Sequence, residues 1–159
     1  MPEETVRKVI ALAADTIAEP LRGRLEGYIR AYIRAIPAEV LSEVEPEVLL
    51  PFLAERFAFL EEDFDREVKV TIRDPQTMLV DDQHATVIET RLPDCAFVIR
   101  TIKAFLREQG LQLLFVLHPI HGVVVTDGKV ASIDPAAPAK YSQVYLQVTA
   151  IPPERREAL

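Results

Sequence analysis

The fold of this chain is decided by residues 85–117, which read ATVIETRLPDCAFVIRTIKAFLREQGLQLLFVL. Residues 85–92 are rich in β-branched and apolar side chains, which is typical of a strand. Apolar residues then recur with helical spacing over 94–109, and Gly110 ends that pattern. Residues 111–117 are almost continuously apolar, as in a buried strand. The stretch therefore predicts a strand, a helix and a second strand in succession.

The residues before this unit predict one more strand. Over 67–73, apolar side chains alternate with polar ones until Asp74-Pro75 ends the pattern. We expect 76–83 to form a loop. We also expect strand 67–73 to cover an edge of the sheet, because an unpaired apolar edge invites aggregation.

The residues after the unit predict a hairpin and a final strand. His118-Pro119 must interrupt the preceding strand, since proline offers no backbone donor to a neighbouring strand. Asp127-Gly128 favours a tight two-residue hairpin turn, and Pro152-Pro153-Glu154 is typical of the first turn of a helix. The expected strands are 123–126, 129–133 and 141–151, with a loop at 134–140.

The order of the elements predicts an α+β fold. Over residues 3–62, apolar side chains recur at three- and four-residue steps between proline breaks, which predicts N-terminal helices. These precede a ferredoxin-like antiparallel sheet with a packed helix. Because the chain stops one turn into an expected helix, we expect this unit to lack its last helix and strand. We divide the chain into a helical lead-in, 1–66, and an α+β domain, 67–159.

Composition and charge exclude several classes of function. The chain has 159 residues and a net charge of −7, whereas nucleic-acid and anionic-membrane partners require clustered Lys and Arg. We therefore expect neither kind of partner. The N-terminal residues resemble neither a secretory signal nor a membrane span, and a single cysteine fits a reducing compartment, so we expect a cytoplasmic location. None of the five glycines belongs to a phosphate-binding loop motif, so no dinucleotide site is expected.

The histidines and the cysteine predict little chemistry. His118 and His121 are three residues apart, which on a strand sends the two rings to opposite faces, and no third ligand is suitably spaced. We expect no metal site, a structural role for His118 and a surface position for His121. Cys95 is expected to be a small buried side chain rather than a nucleophile. Five aromatic residues are expected in the core: Phe97, Phe105, Phe115, Tyr141 and Tyr145.

The turn between the first two elements of the unit offers a candidate ligand site. Asp94 is expected to cap the helix by accepting backbone N–H bonds. The alternative is that the free N–H groups of this turn bind the carboxylate of a small ligand. Glu89, in the preceding strand, is a further carboxylate within the unit.

Several motifs together suggest a family. They are Thr86-Val-Ile-Glu89, Asp94 with Phe97, and the strand that ends in His118-Pro119-Ile120. With these residues the chain resembles the N-terminal ACT-like region of the large bacterial NAD-specific glutamate dehydrogenases. The stretch from Tyr32-Ile-Arg34 through Pro46-Glu47 is similar to the helical lead-in of that family.

The resemblance implies a noncatalytic regulatory or assembly domain. The parent enzyme would oxidatively deaminate L-glutamate to 2-oxoglutarate with NAD, and its catalytic and NAD-binding residues would lie outside this chain. We therefore assign no catalytic residue, cofactor or metal here. The resemblance also implies an amino-acid effector near the turn after the first strand of the unit, where Phe97 replaces a glycine that is common in ACT domains. The ligand-binding candidates are then Glu89, Asp94, Cys95, Ala96 and His118.

The partners implied are other domains or subunits of the same enzyme, and we expect a homo-oligomer. Two alternatives stay open. The first is a stand-alone amino-acid sensor that acts on a partner protein. The second is a small enzyme that uses His118 together with Glu89 or Asp94.

Overall fold

The computed structural model describes residues 2–81 and 84–159. Helices come first, followed by strands that enclose one long helix. The helices are α1 (Pro2–Thr16), α2 (Leu21–Ile33), α3 (Ala38–Glu43), α4 (Pro46–Glu61), α5 (Val98–Glu108) and α6 (Pro153–Arg156). The strands are β1 (Lys69–Arg73), β2 (Ala85–Pro93), β3 (Leu113–Leu117), β4 (Ile120–Thr126), β5 (Lys129–Ile133) and β6 (Lys140–Thr149).

Proline residues set the boundaries between the N-terminal helices. Pro20 precedes α2, and Pro37 precedes α3. Pro46 occupies the first turn of α4, where a helix has no use for the missing N–H group. The prediction of helices over 3–62 is confirmed.

The strands form one six-stranded antiparallel sheet. β2 and β6 pair along their full length at its centre, from Ala85 opposite Thr149 to Pro93 opposite Tyr141. β1 pairs with the other side of β2. The expectation that 67–73 covers an edge of the sheet is therefore confirmed.

The long strand β6 pairs with two strands in succession on its other side. β3 pairs with its second half and β4 with its first half, and His118-Pro119 separates the two. The predicted interruption at this point is confirmed. β4 continues into β5 through Asp127 and Gly128, whose φ values of 53° and 75° satisfy the type I′ turn that the sequence predicts.

The sheet lies between two apolar layers. Side chains of α1 to α4 pack on one face and form a core with Val87, Leu117 and Tyr145. α5 packs on the other face, where its apolar stripe meets Ile88, Val144, Leu146 and Val148. The molecule is thus an α+β protein whose helical lead-in and sheet share one buried interface.

The start of α5 differs from the expectation. The helix begins at Val98 and not at Asp94, and its first flanking residue is Phe97, which has a left-handed backbone and no capping side chain. Asp94 is therefore not the helix cap, because it lies three residues before Phe97. Its backbone N–H donates to the carbonyl of Lys140 at 2.9 Å. Residues 82 and 83 of the expected loop 76–83 lie outside the described residues.

Candidate functional site

The turn between β2 and α5 is open to solvent. Asp94, Cys95, Ala96 and Phe97 are all exposed, and Phe97 keeps 68% of its surface accessible at a φ of 68°. The expectations of a buried Cys95 and a core Phe97 are wrong, because both side chains are exposed in this turn. Such a backbone is costly for a non-glycine residue, by roughly 1–2 kcal/mol.

His118 lies beside this turn. Its Nε2 contacts the hydroxyl of Ser142 on β6. Burial lowers the pKa of His118, while the nearby carboxylate of Asp94 acts in the opposite direction. The fold thus brings two of the five ligand candidates, Asp94 and His118, to the same end of the central strands, with Cys95 and Ala96 next to them.

Glu89 lies in a different environment from the other candidates. It is on the face of β2 that α4 covers, and none of its surface is accessible. Its Oε2 is 2.9 Å from Nε of Arg56 on α4, and its Oε1 is 3.1 Å from Nη2 of Arg73 on β1. Burial nevertheless outweighs these two cations and raises the pKa of Glu89 to about 7.

Gln143 on β6 connects Glu89 to the helices. Its Nε2 donates to Oε2 of Glu89 at 3.0 Å and to the backbone carbonyl of Arg56 at 2.9 Å. Its Oε1 accepts from the hydroxyl of Tyr28 on α2 at 2.7 Å and lies 3.1 Å from Nε2 of His121. Because an amide oxygen can only accept, His121 carries its proton on Nε2.

His121 is completely buried, so the expected surface position is wrong. Its ring stacks on Tyr28 with a centroid distance of 4.9 Å, and burial lowers its pKa to about 4. His121 lies on β4, and its ring faces the helical layer, where Tyr28 and Tyr32 of α2 contact it. His118, three residues earlier, contacts Ser142, and Ser142 and the adjacent Gln143 lie on opposite faces of β6.

Glu89 and the side chains that bind it, Arg56, Arg73 and Gln143, form a polar cluster that reaches solvent at the edge of the sheet. Glu55 on α4 keeps 23% of its side-chain surface accessible and binds Arg56 at 2.6 Å and Arg73 at 3.0 Å through Oε1. Its Oε2 accepts from the Thr77 hydroxyl at 2.7 Å. From the interior to the surface, the carboxylates of Glu89 and Glu55 thus alternate with the guanidinium groups of Arg56 and Arg73.

The comparisons with known proteins point to one family. A model of the glutamate dehydrogenase ACT1 domain matches residues 28–159. The chain belongs to this family. Searches of curated proteins and of solved structures found no match. The match runs from the middle of α2 through the whole sheet, so α1 precedes the region that is typical of the ACT1 domain.

Two further findings concern the described parts of the chain. Over 2–81 and 84–159, no three His, Cys, Asp or Glu side chains are grouped as a metal ion would require. In the same residues, no helix has the length and hydropathy needed to cross a membrane.

Sequence reasoning missed Arg56, Gln143 and His121 as members of one cluster. The signal lay in β2, where Glu89 and Arg91 share a face with Val87 in a strand next to apolar segments. A buried carboxylate and a buried guanidinium on one face demand partners from the opposing layer. Those partners come from α4 and β6, and no local pattern identifies them.

Proposed function

We propose that this ACT1 domain is a noncatalytic regulatory and assembly domain of a large NAD-dependent glutamate dehydrogenase. The observation that carries the proposal is the family match over residues 28–159. The parent reaction would be the oxidative deamination of L-glutamate to 2-oxoglutarate, with NAD bound by other parts of the enzyme. Other domains or subunits of that enzyme are the proposed partners.

The geometry supports a binding role better than a catalytic one. Glu89 and His121, whose pKa values are displaced by burial, are both fully buried and hydrogen-bonded to Gln143. A substrate cannot reach either of them without separating the helical layer from the sheet. The accessible polar groups are instead those of the turn at 94–97.

We further propose that this turn binds an amino-acid effector. The carboxylate of Asp94 is exposed and can accept hydrogen bonds from an ammonium group. The first N–H groups of α5 have no capping side chain and can donate to a carboxylate. Phe97 limits how closely a ligand approaches the backbone, because it stands where a glycine would leave space.

Calorimetry on the purified 159-residue chain tests effector binding. The titrants are glutamate, aspartate and the branched-chain amino acids at millimolar concentration, with the Asp94→Asn variant and Asp127→Asn as its matched control. Asp127 is also exposed, but it lies in the hairpin turn between β4 and β5. Heat that is lost in the Asp94 variant and retained in the control supports the site, whereas no heat with any titrant rejects an amino-acid effector.

The regulatory role needs a second experiment on the glutamate dehydrogenase that contains or binds this domain. We expect Asp94→Asn to change the response of the enzyme to the effector and to leave the kcat measured without effector unchanged. Turnover of glutamate and NAD by the isolated chain would contradict a noncatalytic role. An unchanged subunit assembly and effector response after removal of the domain would contradict the regulatory one.

A further inference from the structure

A groove between the beginning of α1 and the end of α2 concentrates positive charge. It has a volume of about 800 Å³. Val6 and Ile10 contribute apolar surface, and the cations are Arg7 from α1, Arg30 from α2 and Arg34, which directly follows α2. Glu3 is the one acidic residue among those that line it in the described part of the chain. We call these arginines, with Val6 and Ile10, the basic groove.

Two of the three arginines form no ion pair with a described residue. Arg30 lies 3.1 Å from Glu26, but neither Arg7 nor Arg34 forms an ion pair with any residue of 2–81 or 84–159. Arg30 and Arg34 are one helical turn apart, where like charges destabilise a helix by a few tenths of a kcal/mol. Three exposed arginines in a chain of net charge −7 therefore form a surface that favours an anionic partner.

The same molecule carries a complementary surface. The turn after α4 exposes Glu62, Asp63 and Asp65, which we call the acidic turn. It lines a second groove, of about 700 Å³, together with Glu61 and with Asp127 of the hairpin, and these five carboxylates outnumber the two cations there, Arg24 and Lys129. Glu62 also lies 3.8 Å from Lys69. The Phe64 ring is also part of this groove, so the acidic turn combines charge with apolar surface as the basic groove does.

The two surfaces lie at opposite ends of α2. Arg24, near the start of α2, is 3.6 Å from Glu61 at the end of α4, immediately before the acidic turn. Arg30 lies more than one and a half turns further along α2, and Arg34 follows the last residue of that helix. Both lie next to α1. Within one molecule the acidic turn therefore lies too far from the basic groove to form ion pairs with its arginines.

We propose that the basic groove of one copy binds the acidic turn of a second copy. The two surfaces differ, so the contact is heterologous and joins copies head to tail, as a ring or as an open chain. The interaction does not depend on the proposed role in glutamate dehydrogenase, because it rests on the charges of this chain alone. It also requires α1, which lies before the family-matched residues 28–159.

Sedimentation or light scattering of the full chain tests the association. At low ionic strength we expect the average mass to rise with protein concentration. It should return to the monomer mass in about 0.5 M salt, where screening shortens electrostatic interactions to a few ångströms. A wild-type chain that remains monomeric up to millimolar concentration in low salt overturns the proposal.

A pair of charge-neutral variants tests the specific surfaces. One variant carries Arg30→Gln and Arg34→Gln, and the other carries Glu62→Gln, Asp63→Asn and Asp65→Asn. Asn tolerates the left-handed backbone of Asp63, so folding is preserved. Arg91 binds the backbone carbonyl of Asp63 and not its side chain, so that contact is preserved as well.

Each variant alone should be monomeric, whereas a mixture of the two should form a 1:1 dimer and nothing larger. The reason is that the mixture contains one intact groove and one intact turn per pair. Association that survives in either variant alone, or a mixture that stays monomeric while the wild type associates, overturns the proposal. Binding of an acidic amphipathic peptide by a wild-type chain that stays monomeric assigns the groove to a different partner, and it overturns the proposal too.

Discussion

Replacing Glu89 by Gln tests whether burial or ion pairing controls the polar cluster. Glu89 has no accessible surface and lies between Arg56 and Arg73. Burial disfavours the carboxylate, whereas the two cations favour it. A pKa raised to about 7 means that burial outweighs the cations.

The direction of the pH effect follows from this pKa. Between the ordinary glutamate pKa of 4.5, which applies in the unfolded chain, and about 7, the folded protein holds a proton on Glu89 that the unfolded chain has lost. Stability therefore falls as the pH rises through this window and is independent of Glu89 above and below it. Each pKa unit corresponds to 1.36 kcal/mol, so the fall attributable to Glu89 is roughly 3 kcal/mol.

The assay is chemical denaturation of wild type and Glu89→Gln at intervals from pH 4.5 to 8. Gln resembles the protonated side chain, so the difference in unfolding free energy between the two proteins should be smallest near pH 5. By pH 8 the variant should gain roughly 3 kcal/mol relative to wild type. Because His121 is present in both proteins, its own titration cancels in the difference. Glu108→Gln, at the exposed end of α5, is the matched control and should follow the wild-type profile.

One result would refute the reasoning. If Glu89→Gln becomes less stable relative to wild type as the pH rises, then the carboxylate is stabilised by Arg56 and Arg73 and its pKa lies below 4.5. A loss of several kcal/mol at pH 8 would be the expected size of breaking a buried ion pair. A ¹³C titration of the Glu89 carboxyl group by NMR measures the same pKa directly.

Further predictions concern four single residues. Gly122→Ala should destabilise the protein by more than about 2 kcal/mol, because its Cβ would lie 2.0 Å from the backbone oxygen of Asp134. Gly23→Ala should instead be neutral or stabilising by up to about 1 kcal/mol, since its Cβ meets only the flexible Glu19 carboxylate. Thermal unfolding of the two glycine variants and the wild type measures both changes in stability. Arg91→Met should cost roughly 2–4 kcal/mol in urea denaturation, because the guanidinium binds four backbone carbonyls at 2.7–3.0 Å around the end of α4. Arg100 is exposed, and an equal loss of unfolding free energy in Arg100→Met would show that the effect is not specific to Arg91. From pH 6.5 to 4, His121→Phe should gain roughly 3 kcal/mol of unfolding free energy relative to wild type, because only the wild-type unfolded chain takes up a proton that the folded imidazole refuses. The opposite contribution of Glu89 is present in both proteins and cancels in the difference. A difference that stays constant over this pH range would contradict the burial of a neutral imidazole.

The elements that sequence reasoning located correctly have local signals. The alternation over 67–73, the apolar strand 85–92 and the Asp127-Gly128 turn each occupy a few consecutive residues, and the structure places all three as expected. Periodicity and turn chemistry are sufficient there because tertiary contacts reinforce the local preference.

The misplaced residues are those for which a distant contact overrides the local rule. Asp94 is a good helix cap by type, yet its N–H bonds to Lys140 and the helix begins four residues later. An aromatic residue rarely adopts a positive φ, so nothing local predicts the conformation of Phe97. His121 is polar, and its burial becomes understandable only with Gln143 and Tyr28 beside it.

The buried cluster and the exposed turn are connected through adjacent residues of the same strands. Ser142 contacts His118 near the turn, while the next residue, Gln143, bonds to Glu89, Tyr28 and the backbone of Arg56 on the other face of β6. A ligand at the turn shifts the conformational equilibrium only if it binds two arrangements of these groups with different affinity. A displacement of β6 that breaks the contact between His118 and Ser142 also moves Gln143, whose amide joins α2 and α4 to the sheet. A buried polar network that has lost some of its hydrogen bonds is costly. Such a shift therefore favours a second, distinct packing arrangement of the helical layer over a gradual deformation. Regulation through the turn would therefore be transmitted to α2 and α4, and with them to the basic groove at the end of α2.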